Sequence, residues 1–450
     1  MERLPYAFAN RHQVLLEDGP IRQLLVSSAT PSSAIGEVVR HCQDVQVQWQ
    51  EAEVLAQRIN DVYSDTGDAA RVVSSVQEEA DLRLLMQEAE RTQDLLAAQD
   101  DAPVIRILNA LLLEAAKEGA SDIHIEAYEA HSTVRMRVDG VLRDIARPKR
   151  ELHKALISRL KIMAGLDIAE TRLPQDGRIS TRLGNRLIDI RVSTLPNAFG
   201  ERAVLRLLDK SGNRLTLESA GMSADLLAQF DALLRQPHGI LLVTGPTGSG
   251  KTTTLYAALK RLDAASMNIM TVEDPIEYEL AGIGQTQIND KIGFSFATAL
   301  RSILRQDPDV VMVGEIRDTE TAQIAIQASL TGHLVIATLH TNDAASAVTR
   351  LVEMGVEPYL LSSSLLGVLA QRLVRKCDVA APGQLRGRTG IYELLTVTDA
   401  IKAQITAQAS DADIRRTAVA QGMQTMRSYG ETLVAQGVTT QAEVVMATSQ

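Results

Sequence analysis

Cysteine is nearly absent from this chain of 450 residues, which contains only Cys42 and Cys377. Two thiols cannot form the disulfide framework of small secreted domains, so the cysteine count favours a reducing cytoplasm. The first residues also lack a positively charged stretch followed by an apolar one, and we therefore expect no signal peptide. No apolar run approaches the roughly 18 residues needed to span a bilayer, so any membrane association would require a protein partner.

Aromatic side chains and net positive charge are also scarce. Phe, Trp and Tyr make up 3% of the sequence, the net charge is −10 and the pI is about 5.4. Few aromatic rings are therefore present on which bases can stack, and the chain lacks the overall basic charge typical of nucleic-acid-binding proteins. A local basic patch is still compatible with these values. We predict that the chain does not act directly on nucleic acid.

A glycine-rich motif is the strongest functional signal. Residues 245–252 read Gly-Pro-Thr-Gly-Ser-Gly-Lys-Thr and match the phosphate-binding P-loop pattern G-x-x-x-x-G-K-[ST]. An apolar strand is predicted at 239–244 and a helix at 253–260, which is the context that the motif requires. We expect Lys251 to reach the β- and γ-phosphates and the Thr252 hydroxyl to bind Mg²⁺. The residues expected to bind the nucleotide are Gly245, Pro246, Thr247, Gly248, Ser249, Gly250, Lys251, Thr252 and Thr253.

Carboxylates and a histidine follow three further predicted strands. Ligands of parallel α/β sheets bind at the carboxyl ends of the strands, so these residues are candidates for the same site. Glu315 ends an apolar run, as in a Walker B element, and is expected to orient the attacking water or to hold a Mg²⁺-bound water. Glu273 and Asp274 offer hard oxygen ligands, although Asp274 and the following proline are also typical of a turn. His340 either senses the γ-phosphate or is structural.

Arginines are the remaining requirement for phosphoryl transfer. A transition state at the γ-phosphate gains most from an arginine finger, often supplied by a neighbouring subunit. Arg301 and Arg305 lie in a predicted helix before the Glu315 strand, and their spacing of four places them on one face. The region 102–208 supplies further candidates, and a surface salt bridge is the ordinary alternative for each of them. These candidates are Arg178, Arg191, Arg202 and Arg206.

The hydrophobic content of 45% and the charged content of 23% are those of a soluble globular protein, and the length predicts two or three domains. Asp139-Gly140 predicts a β-hairpin inside an α+β region, and strands alternate with helices from about residue 219. Beyond 345 we expect mostly helix. The predicted segments are a small domain at 1–63, an acidic helical linker at 64–101, the α+β domain at 102–208, a linker at 209–218, and an α/β nucleotide-binding domain with a parallel central sheet and a helical C-terminal part at 219–450.

Several of these motifs occur in an order that resembles a known family. Residues 245–254, 272–278, 304–318 and 331–344 resemble the Walker A, Asp box, Walker B and His box of the ATPases that drive type II secretion and type IV pilus assembly. The opening Leu4-Pro5-Tyr6-Ala7-Phe8-Ala9 is similar to the start of the type II secretion branch. Other stretches that resemble the family are 120–126, 174–178, 191–194 and 387–394.

This resemblance implies a RecA-like P-loop ATPase core preceded by an α+β (PAS-like) domain and a small accessory domain. It implies a Mg²⁺-dependent ATP hydrolase that works as a homo-hexamer and powers pseudopilus assembly for type II secretion. Residues 1–63 would bind the cytoplasmic domain of an inner-membrane secretion protein, and an inner-membrane platform protein would be a second contact. The protein would thus be cytoplasmic and peripherally associated with the inner membrane. The alternatives are a type IV pilus assembly or retraction motor or a DNA-uptake motor of the same family, and a nucleotide-gated scaffold without enzymatic activity.

Site residues also follow from the resemblance. Lys251, Thr252, Glu273, Asp274, Glu315 and His340 correspond to the nucleotide site, and Arg191, Arg206, Arg301 and Arg305 to the arginines near the phosphates. Whether Glu273 or Glu315 polarises the attacking water stays open.

One departure from the family concerns zinc. Most members carry two Cys-x-x-Cys pairs before the segment that corresponds to 387–394, whereas this chain has only Cys377 there. A four-thiolate site needs four cysteines, so we predict no zinc site.

Overall fold

The chain divides into two units, Met1–Ser211 and Gly212–Gln450, in the computed structural model. The predicted linker at 64–101 lies almost wholly outside the described residues, as do residues 210–215 of the second linker. The structure describes residues 4, 8–9, 12–17, 22–42, 45–64, 103–183, 186–209, 216–378, 381 and 383–449. Within these ranges, no helix combines the length and apolar character needed to cross a bilayer.

A three-stranded sheet occupies the described part of residues 14–64. Its elements are β1 (Val14–Glu17), β2 (Arg22–Val26), α1 (Ser32–His41), β3 (Val45–Trp49) and α2 (Ala52–Ser64). β2 is central, antiparallel to β1 and parallel to β3. Both faces are covered, because Leu24 packs with Val38 of α1 whereas the next residue, Leu25, packs with Leu55 and Ile59 of α2. Successive strand residues point to opposite faces, so two adjacent leucines serve two separate cores.

The second sheet of the first unit has six antiparallel strands in the order β6-β5-β4-β9-β8-β7. One face carries the apolar core, in which Leu111 and Leu156 of its two helices pack against Ile125 and Val192. The predicted hairpin turn is present, with φ of 49° at Asp139 and 84° at Gly140. The elements are α3 (Pro103–Glu118), β4 (Asp122–Ala127), β5 (Ser132–Val138), β6 (Val141–Ala146), α4 (Arg150–Met163), β7 (Gln175–Leu183), β8 (Arg186–Leu195) and β9 (Arg202–Asp209).

A seven-stranded sheet forms the second unit, in the order β12-β11-β13-β14-β10-β15-β16. All neighbouring strands are parallel except β15 and β16, so the expected parallel sheet carries an antiparallel edge strand. The strands are β10 (Gly239–Thr244), β11 (Ile269–Glu273), β12 (Gly284–Gln287), β13 (Val310–Val313), β14 (Leu334–Leu339), β15 (Leu365–Cys377) and β16 (Leu385–Thr396). The α-helices are α5 (Ala224–Leu234), α6 (Lys251–Leu259), α7 (Phe296–Ile303), α8 (Thr319–Leu330), α9 (Ala344–Glu353), α10 (Pro358–Ser364), α11 (Asp399–Thr406), α12 (Asp411–Ala420), α13 (Met426–Ala435) and α14 (Gln441–Thr448).

The expectation of a mostly helical C-terminal part is wrong for residues 365–377 and 385–396, which form β15 and β16. Residues 367–371 of β15 are buried in succession rather than alternately. A strand covered on both faces lacks the period of two that identifies strands in a sequence. This apolar run was therefore indistinguishable from a buried helix. The four helices from residue 399 onwards agree with the expectation.

Candidate nucleotide-binding site

The P-loop connects β10 to α6. Gly245 has a φ of 149°, and a Cβ there would lie 2.4 Å from the backbone oxygen of Gln371. Gly250 has a φ of 89° and immediately precedes α6. Because Gly250 has no side chain to cap the helix, the first N–H groups of α6 are available to an anion. Ser249 Oγ is buried and has no hydrogen-bond partner among the described residues.

Lys251 lies at the start of α6, and its ammonium folds back over the loop. Its Nζ donates hydrogen bonds to the carbonyl oxygens of Gly245, at 2.7 Å, and Pro246, at 3.1 Å. His340 Nδ1 lies 3.4 Å from the same nitrogen. Burial lowers the pKa of Lys251, and the negative charge of Glu315 opposes that shift. The side chain of Thr252 is exposed in the first turn of α6.

Polar side chains that follow three neighbouring strands, Asp274 after β11, Glu315 after β13 and His340 after β14, lie at the carboxyl ends of these strands. His340 Nε2 lies 2.9 Å from Glu315 Oε1, and Arg317 Nε donates to Glu315 Oε2 at 2.7 Å. Arg317 also reaches Asp274, with 3.4 Å between Nη1 and Oδ2. The structure therefore places His340 in contact with both Lys251 and Glu315, and Arg317 joins Glu315 to Asp274.

Glu273 has a different environment, although it is adjacent to Asp274. It is only 3% exposed, and both of its carboxylate oxygens accept hydrogen bonds. Tyr256 donates to Oε2, while Thr271 and Gln285 donate to Oε1 at 2.5 and 3.0 Å. Burial, followed by the hydrogen bond to Glu273, raises the pKa of Tyr256. Glu273 is thus anchored to α6 and β12 within the core.

Sequence reasoning missed three residues that shape this site. Arg317 bridges Glu315 and Asp274, Tyr256 anchors Glu273, and the buried Gln371 donates from Nε2 to the carbonyl oxygen of Ser249 at 2.7 Å. Arg317 lies only two residues after Glu315, and this proximity was a usable signal. Tyr256 and Gln371 gave none, because their contacts depend on how the chain folds.

The four arginines lie in both units. In the first, Arg206 donates from Nε to Asp122 Oδ1 at 2.9 Å, and Arg191 is the cross-strand neighbour of Arg206. In the second, Arg301 pairs with Glu320, and Arg305 donates to the carbonyl oxygen of Arg301 at 2.9 Å. Arg305 lies beyond the end of α7 at Ile303, so the expectation that a single helix carries both arginines is wrong.

Burial raises the pKa of Asp122, but hydrogen bonds from Arg206 and Ser121 outweigh it and hold that pKa below its usual value. Asp122 therefore remains a carboxylate that orients Arg206 on the sheet.

Cys377 ends β15 opposite Leu385 of β16. Over the described ranges, no group of three or more His, Cys, Asp or Glu side chains is arranged to hold a metal ion.

Two protein-family models match the chain. A model described as "Type II/IV secretion system protein" matches residues 97–446, and a model of an N-terminal domain of "GSPII protein E" matches residues 3–63. The chain belongs to the type II/IV secretion system protein family. Together, the two matches cover the α/β core, the six-stranded sheet and the small N-terminal domain.

Full-length relatives carry type II secretion names. The chain is 56% identical to "Type II secretion system protein HxcR" of Pseudomonas aeruginosa, over 100% of this chain and 99% of the relative. It is 50% identical to "Type II secretion system protein E" of Klebsiella pneumoniae, over 99% and 97% of the two chains. It is 47% identical to "Type II secretion system ATPase E" of Vibrio cholerae, over 100% and 97%.

Two solved structures share the fold over 76% and 75% of this chain. The pilus retraction motor PilT, solved with bound ADP, has a TM-score of 0.57 and 29% identity over 76% of this chain and 97% of its own. The ATPase DotB of Legionella pneumophila has a TM-score of 0.62 at 23% identity, over 75% and 94% of the two chains. The latter supports the fold alone.

Proposed function

We propose that this protein hydrolyses ATP with Mg²⁺ at the P-loop and uses the energy to drive type II protein secretion. The observation that carries the proposal is the direct contact of the P-loop lysine with His340 and, through it, with Glu315. Lys251 could therefore neutralise charge on the phosphates, while Glu315, close by, could orient the attacking water molecule. The names of the full-length relatives supply the physiological task.

The residues around the P-loop fit a nucleotide with Mg²⁺. The buried Ser249 hydroxyl and the start of α6 offer donors to phosphate oxygens. Thr252 and Asp274 offer the hard oxygen ligands that Mg²⁺ prefers, with Asp274 acting in part through water. When bound, Mg²⁺ neutralises charge on the phosphates. Residues 245–253 would hold the phosphates, and Lys251 would exchange its bonds to the loop carbonyls for bonds to the β- and γ-phosphates.

Glu315 is our candidate for the residue that orients and polarises the attacking water. One of its oxygens faces His340 and the other faces Arg317, so both oxygens of the carboxylate are held by neighbouring side chains. His340 contacts both Lys251 and Glu315, which suits a sensor of the γ-phosphate. We assign Glu273 an indirect catalytic role, because its oxygens already accept bonds from Tyr256 and Thr271.

Arginines and assembly complete the proposal. Arg191, Arg206, Arg301 and Arg305 would stabilise charge on the phosphates, and such residues often come from a neighbouring subunit. A homo-hexamer would supply them, and closure of each subunit around ATP would produce the motion. Residues 1–63 would bind an inner-membrane secretion protein, and the ring would act on the membrane platform while remaining cytoplasmic. The match of residues 3–63 to the N-terminal domain of GSPII protein E favours type II secretion over a pilus or DNA-uptake motor.

The test measures ATPase rate per subunit against protein concentration, for the parent chain and for Glu315→Gln. A shared site predicts a rate that rises with concentration, and loss of the general base predicts a fall of at least about 100-fold. Glu353→Gln is the matched control, since Glu353 is an exposed glutamate paired with Arg350. A concentration-independent rate would contradict the ring. A rate unaffected by Glu315→Gln would contradict the catalytic assignment.

A further inference from the structure

The Tyr-Glu pair at the end of the stretch 387–394 has no role in the proposed hydrolysis. Tyr392 and Glu393 lie on β16 and are 1% and 4% exposed. A buried carboxylate is costly unless it is hydrogen-bonded, so its partners indicate what it holds in place. Glu393 Oε1 accepts from the backbone N–H of Ala344 at 3.1 Å, and Oε2 accepts from that of Met426 at 3.3 Å.

Glu393 therefore joins the N-termini of two helices that are distant in sequence. Ala344 is the first residue of α9 and Met426 is the first residue of α13. A negative charge at a helix N-terminus is favoured by the helix dipole and by the unpaired N–H groups. One carboxylate that serves two helix starts fixes their relative position.

The α9 end of this link leads directly to the P-loop. Thr244, the residue before Gly245, is fully buried, and its Oγ1 accepts from the backbone N–H of Thr341 at 2.9 Å. The Thr341 hydroxyl lies 2.8 Å from the same oxygen and donates to the carbonyl oxygen of Asp343. The loop from His340 to Ala344 is thus held to the P-loop strand at one end and to Glu393 at the other.

On the side of α13, hydrogen bonds connect to residues 220–223, near the start of the second unit. Tyr429, in the first turns of α13, donates to the carbonyl oxygen of Gly221 at 2.7 Å and accepts from the N–H of Ser223 at 2.8 Å. Tyr392 donates to the carbonyl oxygen of Ala220 at 3.1 Å. The two tyrosine rings meet edge to face, with centroids 5.7 Å apart.

Close backbone packing reinforces this anchor. A Cβ at Gly221, where φ is 103°, would lie 2.1 Å from the Thr389 hydroxyl oxygen of β16. The N–H of Gly390 donates to the carbonyl oxygen of Ala220 at 2.8 Å. Residues 216–223 follow the boundary between the units at Ser211 and Gly212. The anchored segment is therefore the first described part of the chain after that boundary.

We propose that Glu393 and Tyr429 are positioning residues that connect the loop after His340 to segment 216–223, so that the nucleotide state at the P-loop controls the movement of the first unit. The proposal rests on the proposed function, since it concerns the same site. Its physical basis is a set of hydrogen bonds within the second unit, joined by short stretches of backbone, from Thr244 through Glu393 and α13 to Gly221. A coupling of this kind acts only through elements whose arrangement depends on the ligand, and this dependence is what must be measured.

The test measures the distance between the units by energy transfer in the full-length chain. Both native cysteines are replaced by alanine, and Glu129→Cys and Gln323→Cys, at one exposed residue in each unit, carry the dyes. Doubly labelled chain is diluted into unlabelled chain, so that transfer occurs within one subunit. Transfer is compared with ADP and with a slowly hydrolysed ATP analogue. Glu393→Gln and Tyr429→Phe are expected to reduce the nucleotide-dependent change at least about threefold.

Kinetics give a second readout that a general loss of stability would not reproduce. We expect kcat to fall about three- to thirtyfold in Glu393→Gln and Tyr429→Phe, while KM for ATP and Kd for ADP change by less than about twofold. Tyr429→Phe removes only a hydroxyl and retains the ring that meets Tyr392. Tyr429→Phe therefore still tests the proposed connection if Glu393→Gln does not fold.

Gln404→Ala is the matched control. Gln404 Nε2 donates to Thr417 Oγ1 at 2.7 Å and joins α11 to α12 in the same C-terminal region, outside the proposed connection. The inference would be overturned if Tyr429→Phe behaved like the parent, or if Gln404→Ala lost as much of the nucleotide-dependent change in energy transfer as Tyr429→Phe. It would also be overturned if energy transfer in the parent did not change with nucleotide. A parent that hydrolyses ATP through Glu315 while Tyr429→Phe behaves normally would overturn the inference and leave the proposed function intact.

Discussion

Glu273 is the last residue of β11 and Glu315 follows the adjacent parallel strand β13, yet their environments differ. Glu273 is 3% exposed and is held by Tyr256, Thr271 and Gln285. The Glu315 side chain is 21% exposed and contacts His340 and Arg317 at the P-loop. Position at the carboxyl end of a strand therefore does not decide what a carboxylate does. The donors around it decide whether it is fixed in the core or can reach a ligand.

The largest expected effect is a loss of turnover on substitution of Glu315, which distinguishes it from Glu273. Glu315→Gln is expected to lower kcat at least about 100-fold, because an amide cannot act as a general base. Its melting temperature should stay near that of the parent, since the side chain is partly exposed and the amide remains polar. Steady-state ATPase assays and thermal unfolding measure both quantities. Equal turnover in Glu315→Gln and Glu273→Gln would remove the distinction between the two residues.

The next effect concerns stability. Glu273→Gln replaces one buried acceptor oxygen with an NH₂ group, which cannot accept from Tyr256 or from Thr271. An unsatisfied buried group costs about 1–3 kcal/mol, so the free energy of unfolding should fall by that amount. Urea denaturation measures it, with Glu353→Gln as the control for an exposed glutamate. An unchanged unfolding midpoint would show that Glu273 is not held as the hydrogen bonds indicate.

Arg317→Ala should affect turnover through Glu315 and leave the hydrogen bonds of the buried Glu273 unchanged. Loss of the bridge between Glu315 and Asp274 leaves Glu315 oriented by His340 alone, and we expect kcat to fall about three- to tenfold, equivalent to about 1 kcal/mol. Stability should change by less than about 0.5–1 kcal/mol, because Arg317 is half exposed. A loss of stability larger than that of Glu273→Gln would contradict this assignment.

The sequence predicted some of these features and not others, for physical reasons. Lys251 and Glu315 were found because each lies in a short motif whose flanking strand is apolar and whose chemistry is local. β15 was missed because both of its faces are buried, and β12 because four residues with two glutamines carry little strand signal. The division of roles between Glu273 and Glu315 was left open, since it depends on Tyr256 and Gln285, which reach Glu273 from other elements. Residues 184–185 and 210–215, among others, lie outside the described residues, and expectations there stay predictions.

The smallest expected effect concerns which hydrogen-bond donor holds the buried carboxylate of Glu273. Thr271→Val removes the hydroxyl that donates to Glu273 Oε1 at 2.5 Å and keeps the shape of the fully buried side chain. Gln285 still donates to the same oxygen at 3.0 Å, so the acceptor is not left unsatisfied. We therefore expect a loss of only about 0.5–1 kcal/mol in the free energy of unfolding, less than for Glu273→Gln. If urea denaturation shows the two variants to be equally destabilised, Gln285 does not compensate, and Thr271 is the main donor that fixes Glu273 in the core.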